Sequence, residues 1–409
     1  MNAVADSQDP STLDRRIARW RAETPGCARV NHLNNAGAAL QPEPVLRAVG
    51  DHLRLEGEIG GYEAAERDAQ RVDAVYASLA ALLGTRPGNV AVTANGTAGF
   101  IQALTSFDLA RGDAIVTSLS DYTSNQIQYL ALAARLGVRV LHAPDLPEGG
   151  IDPQAVREIL RSTPARLVAL SWIPTHSGLI QDVGAVGEVC EELGVPFLVD
   201  AVQAAGQLPI DVQSIRCDYL VGTARKFLRG PRGIGFMYAA DRALARGDYP
   251  LFVDMRGARW TAPARFEIAP TARRYEDWEF PYALVVGMGA AVDYALRHRV
   301  AECGQRAFAL AKRLRVGLEA IDGVQVLDRG PNQCAIVTAT VRGWTGPDVK
   351  RELAAKGINI VSTLKEFAQH DFAPRGVESG VRISPHYYNT AEEVDAALGE
   401  VRRIARLRS

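Results

Sequence analysis

Gly222-Thr223-Ala224-Arg225-Lys226-Phe227-Leu228-Arg229-Gly230-Pro231-Arg232-Gly233-Ile234-Gly235 lies just past the middle of the chain. Val199-Asp200-Ala201-Val202-Gln203 precedes it, at the end of the apolar run Val195-Pro196-Phe197-Leu198-Val199. The apolar run reads as a buried strand that ends in an acid, and the later segment as a lysine followed by a turn rich in glycine and proline. Ligands of open α/β sheets gather at the carboxyl ends of strands, so Asp200 is placed where such a ligand would lie. Lys226 is one of only five lysines among 46 basic residues, the others being Lys312, Lys350, Lys356 and Lys365. A lysine kept in an arginine-using chain marks a position that needs an amine able to lose its proton, which arginine does not do.

The two segments together suggest one chemistry. A lysine amine that is easily shifted in pKa forms a Schiff base with a cofactor aldehyde. A carboxylate that holds a pyridine nitrogen protonated makes the ring an electron sink. Lys226 and Asp200 supply both groups, which points to pyridoxal 5'-phosphate.

Composition sets the frame. At 409 residues, 47% of them apolar, the chain has length for two or three domains and material for a sizeable core. Its formal net charge is -1 and the basic residues are spread, so neither nucleic acid nor an anionic membrane is implied as a partner. Met1 to Thr12 is polar, without the pattern of a secretory leader, and no apolar run approaches the roughly 20 residues of a membrane helix. Cys27, Cys190, Cys217, Cys303 and Cys334 are odd in number and widely spaced, which reads as reduced thiols in a cytoplasmic protein with no metal site.

Working outward, the hydrophobic pattern predicts helices over Leu13–Ala22, Pro44–Leu55 and Ala64–Leu83, with a break at Gly60-Gly61-Tyr62-Glu63. Strands are predicted at Asn89–Thr93, Asp113–Thr117, Val138–Ala143 and Leu167–Ile173, with a helix over Pro153–Ser162. This alternation through Phe236 implies a mostly parallel sheet with helices on both faces. Beyond Arg242 the pattern turns irregular until a long helix over Tyr282–His298. Ala94-Asn95-Gly96-Thr97-Ala98-Gly99 joins a strand to a helix expected from Phe100 onward, and free N–H groups at such a junction bind anions. Gly96, Thr97 and Ala98 are therefore the expected cradle for a cofactor phosphate. His176, after the strand Leu167–Ile173, is a candidate acid or base in a supporting role.

The Val199–Gln203 segment, Thr223-Ala224-Arg225-Lys226 and Gly230-Pro231-Arg232-Gly233-Ile234-Gly235 resemble the class V aminotransferase superfamily of fold type I pyridoxal phosphate enzymes. That superfamily includes cysteine desulfurases, selenocysteine lyases, isopenicillin N epimerase-like enzymes and carbon-sulfur lyases. The resemblance covers about Leu33 to Val394. It implies an α/β large domain (45–285) with a mostly parallel seven-stranded-type sheet flanked by helices, a smaller α+β domain (1–44 and 286–409), and a homodimer. It places Gln203, Thr223 and Arg225 on the cofactor and stacks Tyr122 on its ring, where an offset aromatic contact is worth on the order of 1 kcal/mol. Arg382, in Val381-Arg382-Ile383-Ser384-Pro385-His386, matches the arginine that grips the carboxylate of an amino acid substrate, a task suited to its planar fork. Asn35 and Ala36 fall in the segment that lines the substrate end, and Tyr62 lies in a motif related to one in the carbon-sulfur lyases of ergothioneine biosynthesis. Trp278 and Glu279 stand where many relatives have a Gly-Thr pair that reaches the neighbouring subunit's phosphate.

The same resemblance leaves several reactions open, because one cofactor supports many. Desulfurases carry a mobile cysteine roughly fifteen positions before the carboxylate-binding arginine by family analogy. Here that region is Ser362-Thr363-Leu364-Lys365-Glu366-Phe367-Ala368-Gln369-His370, without cysteine. The favoured expectation is a carbon-sulfur β-lyase on a cysteine conjugate or sulfoxide. Its alternatives are an aminotransferase and then an epimerase or racemase.

Overall fold

The computed structural model describes residues 10–407; the first nine, on which part of the reading of the amino terminus rests, lie outside it. The central sheet has seven strands: β1 Val90–Thr93, β2 Ala114–Ser118, β3 Arg139–Ala143, β4 Ala165–Ser171, β5 Phe197–Asp200, β6 Tyr219–Thr223 and β7 Gly235–Ala239. Their order is β1-β7-β6-β5-β4-β2-β3, and every neighbouring pair is parallel except those that β7 makes with β1 and β6. β5 and β6 are buried along their whole length. Strands covered on both faces read as unbroken apolar runs, which is what Phe197-Leu198-Val199 and Tyr219-Leu220-Val221 are. Each such side chain removed from water contributes roughly 1.5 to 3 kcal/mol. Because β7 alone is reversed, the carboxyl ends of β1, β2, β4, β5 and β6 share one edge with the start of β7.

Gly235 makes that edge possible. A Cβ there would sit 2.6 Å from the Gly222 carbonyl oxygen and 2.9 Å from the Gly96 backbone nitrogen, so only glycine lets the three segments meet.

The Pro153–Ser162 helix forms as its sequence predicts. Asp152 caps it by accepting from the Gln154 N–H, and Pro153 opens its first turn, where a missing N–H costs nothing. Three helical expectations shift, the first being Pro44–Leu55, which runs as Glu43–Ile59 up to Gly60. The helix expected from Phe100 begins at Gly96, because the Asn95 side chain caps it by accepting from the Ala98 N–H at 2.9 Å. The stretch Ala64–Leu83 splits at Asp68 into Gly61–Arg67 and Ala69–Leu83, and the Asp68 carboxylate is drawn inward to His52 Nδ1 at 2.8 Å. The irregular stretch past Arg242 contains an antiparallel hairpin, Ala258–Ala262 with Arg265–Ile268.

A second sheet follows: β8 Val324–Val326, β9 Val337–Val341, β10 Val361–Leu364 and β11 Ser379–Ile383, antiparallel in the order β8-β9-β11-β10. Arg382 sits on β11, opposite both Thr338 and Val361. The amino-terminal segment joins this side of the molecule, since Asn31 and His32 pair with Ile358 and Asn359 and Asn34 bridges to Ser384. Among the described residues no helix is long and apolar enough to cross a membrane.

Candidate active site

The shared strand edge opens into a cavity of about 440 Å³ lined by Asn95, Gly96, Thr97, Tyr122, Asp200, Val202, Thr223, Arg225, Lys226, Arg232 and Gly233. That volume lies within the roughly 300 to 1,000 Å³ of small-molecule sites. Seven of the residues expected from sequence thus converge: Gly96, Thr97, Tyr122, Asp200, Thr223, Arg225 and Lys226.

Lys226 follows β6 in a loop held at both ends. The Ala224 carbonyl accepts from the Gly230 N–H at 2.7 Å, and the Lys226 carbonyl from the Arg229 N–H at 2.9 Å. Its amine lies 5.9 Å from the centre of the Tyr122 ring, and no carboxylate forms an ion pair with it among the described residues. Burial, helped by the cations of Arg225 and Arg382, pulls this amine well below its ordinary pKa against the opposing pull of Asp200.

Asp200 ends β5. Burial and the nearby Asp121 raise its pKa, while its partners favour the charged form: Oδ1 accepts from the Val202 N–H at 2.9 Å and Oδ2 from the Asn125 amide at 3.1 Å. Asn125 also donates to Asp121 at 3.2 Å. Asp121 in turn accepts from the hydroxyls of Ser171 (2.6 Å), Thr117 (2.9 Å) and Tyr129 (3.1 Å) and from the Tyr122 N–H (2.7 Å). A buried network beneath the cavity therefore fixes both the acid and the backbone of the aromatic residue facing the lysine.

Arg382 is buried, donates to the Thr175 carbonyl at 3.0 Å, and has its Nε without a partner. Burial and the facing Arg225 lower its pKa to about 10, which leaves it charged at neutral pH. A buried guanidinium with an idle N–H and no carboxylate is an incomplete anion site. Asn35 and Ala36 act on the wall behind it: the Asn35 amide donates to the Ser384 carbonyl at 2.7 Å, the Ala36 N–H to Ser384 Oγ at 3.0 Å, and the Tyr388 hydroxyl donates to Asn35 Oδ1. Gln203 is tied to the same segment through the Ala36 carbonyl at 3.2 Å, and its Oε1 is buried without a partner.

Three expected contributors stand elsewhere. The Ala98 N–H is spent on the Asn95 cap and does not reach into the cradle. His176 meets the Phe372 ring edge to face, with Nε2 3.7 Å from Asp371, and burial lowers its pKa to about 4, which disfavours the imidazolium form at neutral pH. Tyr62 is 71% exposed and lines a separate cavity of about 300 Å³ with Glu56, Gly61, Trp278, Glu279, Phe280 and Tyr282.

The chain matches the Aminotransferase class-V family over residues 31–397. It belongs to that family. A "Probable hercynylcysteine sulfoxide lyase" of Mycobacterium tuberculosis is 30% identical to it, over 94% of this chain and 92% of that protein. A "Probable cysteine desulfurase" of Methanothermobacter thermautotrophicus is 25% identical, over 90% and 93%. Among solved structures, the apo form of a cysteine desulfurase from Thermococcus onnurineus superposes with a TM-score of 0.86 at 22% identity, covering 95% of this chain and 98% of that one. The class V chain is thus a pyridoxal phosphate-dependent enzyme. Its cavity presents groups of the kinds that this cofactor needs, a buried amine, a carboxylate, an aromatic ring, and N–H groups and cations, so the residues present fit it.

Sequence reading passed over Asp121 and Asn125 as site residues, and over Arg229, whose guanidinium anchors the lysine loop. Spacing gave a usable signal for one of them: Asn125 lies four residues after Asp121, one helical turn on, which lets its amide bridge the two acids.

Proposed function

We propose that the class V enzyme is a carbon-sulfur β-lyase acting on a cysteine conjugate or its sulfoxide. The observation that carries this reading is the state of its thiols. Cys190, Cys217, Cys303 and Cys334 are buried, and burial raises the pKa of each, to about 12 for Cys303 and Cys334. The stretch Ser362–His370, where a desulfurase's cysteine would be expected, runs out of β10, its Phe367 carbonyl accepting at 2.9 Å from Thr123 Oγ1 at the start of the Thr123–Leu136 helix and its His370 ring lying 4.4 Å from that of His142 on β3. A route through an enzyme persulfide needs an accessible thiolate; among the described residues no cysteine lines the cavity, and the half-buried Cys27 also has its pKa raised by burial. The lyase from Mycobacterium tuberculosis supports the same reading by its name.

The roles follow from the placement of the side chains. Arg382 grips the substrate carboxylate through its idle N–H. Lys226, whose buried amine is pushed toward its neutral form, takes the proton from the α carbon at Nζ. Asp200 would hold the pyridine nitrogen of the cofactor protonated, and Tyr122 would lie against its ring. Pyridoxal phosphate, when bound, draws electron density from the α carbon. The Cβ–S bond then breaks, the sulfur leaving as a thiol, or as a sulfenic acid from a sulfoxide, once it takes up a proton; the three-carbon enamine that is released is hydrolysed by water to pyruvate and ammonia. We also infer a homodimer, supported by the aromatic side chains that the Ala258–Ile268 hairpin leaves exposed.

The test is to incubate the holoenzyme with S-substituted cysteines and their sulfoxides in deuterated water, with no keto acid added, and to follow pyruvate, cofactor spectrum and α-proton exchange. Catalytic pyruvate release is expected. Accumulation of the amino form of the cofactor without pyruvate would make the enzyme an aminotransferase. Proton exchange without release of any fragment would make it an epimerase.

A further inference from the structure

Arg232 lines the cavity beside Gly233, yet it is exposed and makes no ion pair among the described residues. Its charge is felt across the cavity, because after burial it is the largest cause lowering the pKa of Arg225. Arg225 in turn lowers that of Arg382. Arg225 and Arg232 both line the cavity, and neither they nor the buried Arg382 has a carboxylate partner among the described residues. Arg382 accounts for one anion, the substrate carboxylate of the proposed reaction. The opposite end calls for another.

That end is the start of the Gly96–Leu104 helix. The Gly235 backbone abuts the Gly96 nitrogen, so residues 232–235 run along the helix start. Few neutral donors remain there, since the Ala98 N–H is committed to Asn95 and Thr223 Oγ1 turns to the Ile234 carbonyl at 3.3 Å. Gly96 and Thr97 alone would meet a phosphate dianion with little positive charge. Arg225 is already engaged, donating to the Gly37 carbonyl.

We infer that Arg232 is the cation that clamps the cofactor phosphate, closing over it from the solvent side against the Gly96–Thr97 helix start. This inference rests on the pyridoxal phosphate reading of the cavity and adds to it one phosphate ligand.

The experiment titrates the apo-protein with pyridoxal phosphate and, separately, with pyridoxal, which lacks the phosphate. Binding is read from the visible absorption of the Lys226 Schiff base, in wild type, Arg232→Gln and Arg232→Lys. A charge-assisted contact to phosphate corresponds to about tenfold or more in affinity. Arg232→Gln should therefore weaken pyridoxal phosphate binding by about that factor and leave pyridoxal binding unchanged, and Arg232→Lys should recover part of the loss. An unchanged preference for the phosphorylated form in Arg232→Gln would overturn the assignment, as would an equal loss for both ligands. Wild type giving no absorption with either ligand would defeat the cofactor reading itself, an outcome distinct from the other two.

Discussion

The Lys226 amine is tuned by its surroundings. Burial and two neighbouring guanidinium groups disfavour its ammonium form, and only Asp200 opposes them. Removing one of those cations must raise its pKa. The apo-protein should therefore capture pyridoxal at a rate that stays flat well below the ordinary lysine pKa of roughly 10.4 and falls only at lower pH. In Arg382→Gln that fall should move to higher pH, and an unmoved profile would show that Arg382 does not act on the amine. Arg382→Lys asks a different question. It keeps a charge but loses the fork, so substrate affinity and kcat/KM should drop while cofactor content holds. Equal kinetics for variant and wild type would remove Arg382 from the substrate site.

At the scale of elements, the lysine loop is held from outside by Arg229. Its guanidinium donates to Tyr387 Oη at 2.7 Å, the Leu40 carbonyl at 2.9 Å and Thr24 Oγ1 at 2.5 Å, and it lies 4.4 Å from the centre of the Tyr388 ring. A buried cation with no carboxylate is stabilised here by neutral acceptors and aromatic faces. Arg229→Met would leave these acceptors unpaired and should cost about 2 to 4 kcal/mol, read as a lowered urea midpoint. A midpoint within error of wild type would mean that the loop holds without this anchor. The strands that carry Asp200 and Lys226 were legible because strands buried on both faces must be apolar throughout, and the Pro153–Ser162 helix because Asp152 and Pro153 mark its start. The hairpin at 258–268 was not legible, since both strands are largely exposed and show no clean apolar alternation. Nor was the break at Asp68, which depends on His52 from a different helix. Site residues whose chemistry is local, such as Lys226, could be read directly. Those that act across the fold, such as Arg229, could not, because their partners come together only after folding.

For the whole molecule, the hairpin poses a question of assembly. Trp260 is 78% exposed and sits directly opposite Phe266 in the hairpin register, while Tyr249 meets Phe266 edge-on with ring centres 6.4 Å apart. Phe252, in the preceding loop, is 85% exposed. Exposed aromatic side chains grouped in this way form the kind of surface that association with another protein buries. With a net charge of only -1, little repulsion opposes a second copy of the same chain. A two-fold arrangement requires the same patch to bury against itself or against one matching surface on the partner. The wild-type protein should therefore sediment at twice the chain mass at micromolar concentration. The double variant Trp260→Glu, Phe266→Glu places like charges opposite each other on the strip and should sediment as a monomer. If Arg232 supplies the phosphate contact from within each chain, that monomer should retain most of its affinity for pyridoxal phosphate. A wild type that is monomeric throughout, or a double variant that still forms dimers, would exclude this hairpin as the interface.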